Sequence, residues 1–80
     1  MLTNCFRLNV KFTGRVQGVG FRWNVKDVSS GYSVTGYVKN LSDGSVEMLA
    51  EGEEEEVLSF LVGVEERMLG YVTDRVQLPR

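Results

Sequence analysis

The chain has no histidine among its 80 residues and a single cysteine, Cys5. Without an imidazole there is no base for a Ser-His-Asp or Cys-His arrangement. One thiol allows neither an intramolecular disulfide nor a Cys-X-X-Cys metal clip, and no Cys/His/Asp cluster has metal-ligand spacing. Zinc staples and metallochaperone chemistry are therefore excluded. Long apolar runs are missing too: Met1 to Val10 alternates in the manner of a strand rather than a secretory leader, and nothing approaches transmembrane length. These absences point to a reduced, cytoplasmic setting with no membrane partner. A chain of this length without staples is expected to be one small domain over 1–80, folding on its core alone.

Acidic residues are scarce in the first half and basic ones in the second. Residues 1–40 carry six basic side chains (Arg7, Lys11, Arg15, Arg22, Lys26, Lys39) against Asp27, whereas residues 41–80 carry three against ten acidic ones. A nucleic-acid binder usually presents a basic domain with a continuous patch, and a net charge of −2 argues against that use. A small anionic metabolite suits the basic half better.

What is present begins with alternation. Phe6, Leu8, Val10 and Phe12 point one way and Arg7, Asn9, Lys11 and Thr13 the other, as in a half-buried strand. Phe21, Val25 and Val28 then recur at helical spacing. Between them, Gly14-Arg15-Val16-Gln17-Gly18-Val19-Gly20-Phe21-Arg22 joins strand to helix. Glycines there let several backbone N–H groups converge on an oxyanion, the helix N-terminus adds partial positive charge, and Arg22 adds a planar fork suited to phosphate. The run lacks the Gly-Lys-Ser/Thr ending of a nucleotide P-loop and is not the dinucleotide fingerprint. It also reads as an ordinary glycine-rich connection.

Further on, Tyr32 to Asn40 reads as a second strand with Val34, Gly36 and Val38 on one face, and Leu41-Ser42-Asp43-Gly44 as a hairpin turn. Val46, Met48 and Ala50 mark a third strand. A helix is expected from about Glu53 to Met68, with Val57, Leu61, Val64 and Met68 as its stripe and Leu58 and Phe60 reinforcing it. Tyr71 to Leu78 closes the chain as a strand carrying Val72, Val76 and Leu78. The order βαββαβ predicts an α+β, ferredoxin-like sandwich: an antiparallel sheet with two helices on one face. In this arrangement the outer strands of the chain order become edges, strands one and three lie side by side, and Asn40 leaves strand two beside the anion loop. Glu53 to Glu56 reads as a solvated helix cap, Cys5 as an incidental thiol, and Trp23 and the tyrosines as core or rim packing rather than a base-stacking platform.

The glycine-rich run, followed by Gly36-Tyr37-Val38-Lys39-Asn40-Leu41-Ser42-Asp43-Gly44-Ser45-Val46-Glu47 and Ala50-Glu51-Gly52, closely resembles the acylphosphatase family. Both blocks match in sequence, order and separation, and the resemblance covers nearly the whole chain. It implies an enzyme that hydrolyses acyl phosphates without metal or other cofactor. Arg22 would then bind the phosphate, Arg15, Val16, Gln17, Gly18, Val19 and Gly20 would form the cradle, and Asn40 would orient the attacking water. Inorganic phosphate would be product and competitive inhibitor, and a monomer is expected. The alternative is a non-catalytic ferredoxin-like module that keeps the anion loop, as in a larger carbamoyl-transfer protein. Departures lie in Val28-Ser29-Ser30-Gly31-Tyr32-Ser33, in the compact Met68 to Val72, and in an end, Leu78-Pro79-Arg80, that lacks an aromatic residue.

Overall fold

The computed structural model describes residues Cys5 to Leu78. The expectations for Met1 to Asn4 and for the Pro79-Arg80 end lie outside them. Six elements follow in the order β1 (Phe6–Gly14), α1 (Phe21–Ser29), β2 (Val34–Asn40), β3 (Val46–Gly52), α2 (Glu54–Arg67) and β4 (Val72–Leu78). They form the α+β sandwich that the periodicities predict. Both ends of α2 are one residue shorter than its stripe suggests, since Glu53 and Met68 serve as its caps.

The sheet runs β2-β3-β1-β4, with every neighbouring pair antiparallel. β1 is thus central rather than an edge, and β3 stands between it and Asn40's strand. Local alternation specifies which face a side chain takes, but pairing order is decided by how crossovers pack helices over one face.

Burial explains the layers. Leu8, Val10 and Phe12 of β1 and Val46, Met48 and Ala50 of β3 are buried against Phe21 and Val25 of α1 and Val57, Phe60, Leu61 and Val64 of α2. Burying one such side chain is worth about 1.5–3 kcal/mol, so these positions carry the fold. Leu58, by contrast, faces outward, because it sits one step off the stripe.

β4 departs from simple alternation. Its pairing with β1 shifts register between Thr13 and Gly14, so that Gly14 meets Val72 and Thr13 meets Asp74. The extra residue, Thr73, reverses the facing of everything after it. Val72 packs on the core, whereas Val76 and Leu78 pair with Lys11 and Asn9 on the open face. Arg75 consequently turns toward the helices and pairs with Glu65 of α2.

The open face is polar at its centre. Glu47 accepts hydrogen bonds from Asn9 Nδ2 (2.9 Å) and the Tyr37 hydroxyl (3.0 Å). These bonds and the nearby Lys39 ammonium hold the Glu47 carboxyl below its usual range, the Asn9 bond most strongly. Helices α1 and α2 are tied by Arg67, which donates to Asn24 Oδ1 (2.8 Å) and Asp27 Oδ2 (3.0 Å). Glu56 does more than cap: its Oε1 accepts the Ser33 N–H at 2.8 Å, joining the start of α2 to the approach of β2.

Candidate active site

The first turn of α1 is oriented by Phe21. Its ring is buried against Phe12, with centroids 5.3 Å apart and planes tilted at 52°. Successive helical residues turn by about 100°, so fixing Phe21 toward the core sends Arg22 out toward the β2 side. Lys26 and Ser29, four and seven residues further on, line the groove between α1 and β2, which confirms that facing.

Between β1 and α1 the loop commits its side chains to structure. Val16 is buried and Val19 packs on the core. Gln17 Nε2 donates to two carbonyl oxygens of the β2–β3 turn, Leu41 at 2.8 Å and Ser45 at 2.9 Å. The Arg15 N–H donates to the Tyr71 carbonyl at 2.8 Å, and its guanidinium lies 5.8 Å from the Tyr71 ring centroid. Arg15 therefore buttresses the loop from behind and its N–H is already used.

The remaining backbone donors are different. From Val16 to Trp23 no N–H makes a hydrogen bond to another described residue. Gly18 and Gly20 hold φ at 78° and 77°, and Gly20 is the N-cap of α1 with no side-chain cap. That left-handed conformation costs a residue with a Cβ roughly 1–2 kcal/mol. No acidic residue stands in the first turn of α1 to offset the positive end of its dipole.

Asn40 ends β2 on its helix-facing side, in register with Val46. The turn it enters is closed by other groups. Leu41 N–H donates to Ser45 O (2.8 Å), Gly44 N–H to Leu41 O (3.2 Å), and Asp43 Oδ1 accepts the Ser45 N–H (2.9 Å) and hydroxyl. Lys11 sits 2.8 Å from Asp43 Oδ2. With the Ser45 bonds, Lys11 pulls the Asp43 carboxyl far below its ordinary range. The Asn40 carboxamide caps nothing here and bonds to no described residue.

One concave site of about 210 Å³ brings these pieces together, lined by Val16, Gly18, Gly20, Phe21, Arg22, Trp23 and Asn40. Of the residues singled out from sequence, Val16, Gly18, Gly20, Arg22 and Asn40 border it. Arg15, Gln17 and Val19 are not among its lining residues; the side chains of Arg15 and Gln17 brace the loop, while the Gln17 and Val19 N–H groups bond to no other described residue. Trp23 was not foreseen as part of the site: it is 66% exposed at the rim. Its position directly after Arg22 was the available signal, but exposure of a tryptophan cannot be read from spacing. Among the described residues no group of three His, Cys, Asp or Glu could hold a metal ion, and no helix is long and apolar enough to cross a membrane.

A ferredoxin-like sandwich whose strand-to-helix loop offers free N–H groups beside an arginine defines an anion-handling α+β protein. Comparison with known proteins makes this specific. The acylphosphatase family model matches residues 8–78, and the chain belongs to that family. Acylphosphatase from Caldanaerobacter subterraneus subsp. tengcongensis is 42% identical over 76 residues, covering 80% of this chain and 84% of the relative. That of Listeria welshimeri is 54% identical over 52 residues, covering 65% and 56%. The solved acylphosphatase of Bacillus subtilis superposes with a TM-score of 0.81 at 40% identity, over 90% of this chain and 81% of that one. Full-length HypF in a phosphate- and nucleotide-bound form gives 0.84 at 26% identity, but this chain spans only 10% of it.

Proposed function

We propose that the protein hydrolyses acyl phosphates, the mixed anhydrides of carboxylic and phosphoric acids, by metal-free in-line attack of a water oriented by Asn40. The observation that carries this reading is the meeting, at one small cavity, of free loop N–H groups, Arg22 and an unengaged Asn40 carboxamide.

An acyl phosphate already has a good leaving group, since a carboxylate departs with a conjugate-acid pKa near about 4. The protein need only fix the phosphoryl group, stabilise charge on its equatorial oxygens and aim water at phosphorus. The N–H groups and Arg22 supply the stabilisation. Asn40 holds water through its carbonyl acceptor and amide donors, without deprotonating it. A bond forms from the water oxygen to phosphorus while the phosphorus–acyl oxygen bond breaks. The carboxylate takes the bonding pair, and the proton passes to a phosphate oxygen. No histidine is required.

The test is hydrolysis of acetyl or benzoyl phosphate in the presence of EDTA, with inorganic phosphate competing. Activity that vanishes with chelator and returns with a divalent ion would refute the metal-free route. Phosphate binding without any turnover would favour the non-catalytic anion-binding module.

A further inference from the structure

The cavity is small for the reaction assigned to it. At about 210 Å³ it lies below the roughly 300–1,000 Å³ of pockets that engulf a whole organic ligand, so it encloses the phosphoryl end and leaves the acyl group at the mouth. In-line displacement then fixes the direction of exit. Water attacks from the Asn40 side, so the acyl oxygen must leave from the opposite side of phosphorus. Arg22 faces β2, and Trp23 follows about 100° further round α1, away from β2. Its indole is the one large apolar side chain that both borders the cavity and is mostly exposed, at 66%. Buried Phe21 and Val16 are already engaged in the core.

We infer that Trp23 is the acyl-side wall of the site, a specificity residue that favours flat, aromatic acyl groups over small aliphatic ones. This rests on the acylphosphatase reading above. An indole offers a planar face on which a benzoyl ring stacks, and an acetyl group presents too little surface to use it. The phosphoryl contacts are common to both substrates, so the preference arises from the rim alone.

The experiment compares kcat/KM for benzoyl and acetyl phosphate in the wild type, Trp23→Ala and Trp23→Phe. Trp23→Ala is expected to lower the benzoyl value about five- to tenfold, the size of one aromatic contact, while acetyl phosphate stays within about twofold. Trp23→Phe should keep most of the preference. Because Trp23 is the chain's one tryptophan, its emission gives a second readout independent of turnover. Phenacylphosphonate, in which CH₂ replaces the scissile oxygen, should change that emission saturably and be displaced by inorganic phosphate; acetonylphosphonate should leave it nearly unchanged. Equal emission responses to the two phosphonates, or an unchanged benzoyl-to-acetyl ratio in Trp23→Ala, would overturn the assignment. Failure of wild-type turnover would instead strike the hydrolase reading, and the emission titration would still decide whether Trp23 meets the aromatic group.

Discussion

The Gln17 carboxamide is hydrogen-bonded to the Leu41 carbonyl at 2.8 Å and, from the same nitrogen, to the Ser45 carbonyl at 2.9 Å. Through this one side chain the anion loop is fastened to the hairpin that follows Asn40. The loop and the end of β2, separated by the width of β3, are thereby held in a common frame. The distance between the loop and the hairpin after Asn40 is held by a side chain that is not itself among the cavity's lining residues.

Removing that strap should loosen catalysis more than the fold. Leu41 O and Ser45 O each keep a backbone donor, Gly44 N–H and Leu41 N–H, so Gln17→Ala leaves neither carbonyl wholly unpaired. A loss of about 1 kcal/mol in stability is expected, read from the denaturation midpoint. kcat should fall by more than that equilibrium change implies, because misplacement of about 1 Å costs on the order of a hundredfold. Gln17→Glu should be worse on both counts, since a carboxylate would face two carbonyl oxygens. Unchanged kcat in a folded Gln17→Ala protein would show that the hairpin holds its place unaided.

Arg22 is expected to matter in ground and transition states alike. Its guanidinium makes no ion pair with any described residue, so Arg22→Ala removes no structural contact and the protein should fold normally. The barrier should rise by at least about 3 kcal/mol, by analogy with loss of an oxyanion donor, and phosphate inhibition should weaken as well. Arg22→Lys should restore little, because a point charge does not reproduce the bidentate fork. Near-native turnover in either variant would mean that another group holds the phosphate.

How much of this was legible beforehand follows from the range of the interactions involved. The Phe21, Val25 and Val28 stripe and the Asp43-Gly44 turn depend on neighbours a few residues away, and the sequence displays them directly. The glycine-rich loop was readable for the same reason. Sheet order was legible in part: β1 and β3 are neighbours as expected, but the central placement of β1 was not readable, since its alternation is the same whether it lies at an edge or in the centre. Nor was the facing of Val76 and Leu78, which is reversed by one extra residue at Thr73 whose partner strand is about 60 positions away. The sequence marks Gln17 as a cradle residue through its backbone, but not the part played by its side-chain amide, which meets carbonyls 24 and 28 positions further on, a pairing that only the folded chain creates.

Acid should destabilise the protein through Asp43 and Glu47. Both carboxyls are held below their ordinary range in the folded state, Asp43 chiefly by Lys11 and Glu47 chiefly by Asn9. The unfolded chain therefore binds more protons than the native one across the acid range, and stability rises with pH there. The contribution is fully present above the usual carboxylate pKa and is lost as pH falls below it. A pH series of denaturation midpoints should accordingly decline below about pH 5. Asp43→Asn and Glu47→Gln should each flatten the decline and lower the neutral-pH plateau. A slope unchanged in both would place the acid sensitivity elsewhere.

Asn40 offers the sharpest division between orienting water and holding phosphate. The turn beside it is closed by Leu41, Asp43, Gly44 and Ser45, and its own carboxamide bonds to no described residue. Asn40→Ala should therefore shift stability by no more than about 0.5 kcal/mol, as for a surface change away from any structural contact. kcat should fall strongly while the phosphate inhibition constant stays within a few-fold, the pattern of an interaction made mainly in the transition state. Asn40→Asp separates the matter further. A carboxylate still accepts from water but has lost the amide donors and brings negative charge toward the phosphoryl group, so both kcat and phosphate affinity should drop. Measuring kcat, phosphate inhibition and the midpoint on one preparation of each variant distinguishes the roles. An unchanged kcat with a lowered midpoint in Asn40→Ala would make the residue part of the hairpin and not of the chemistry.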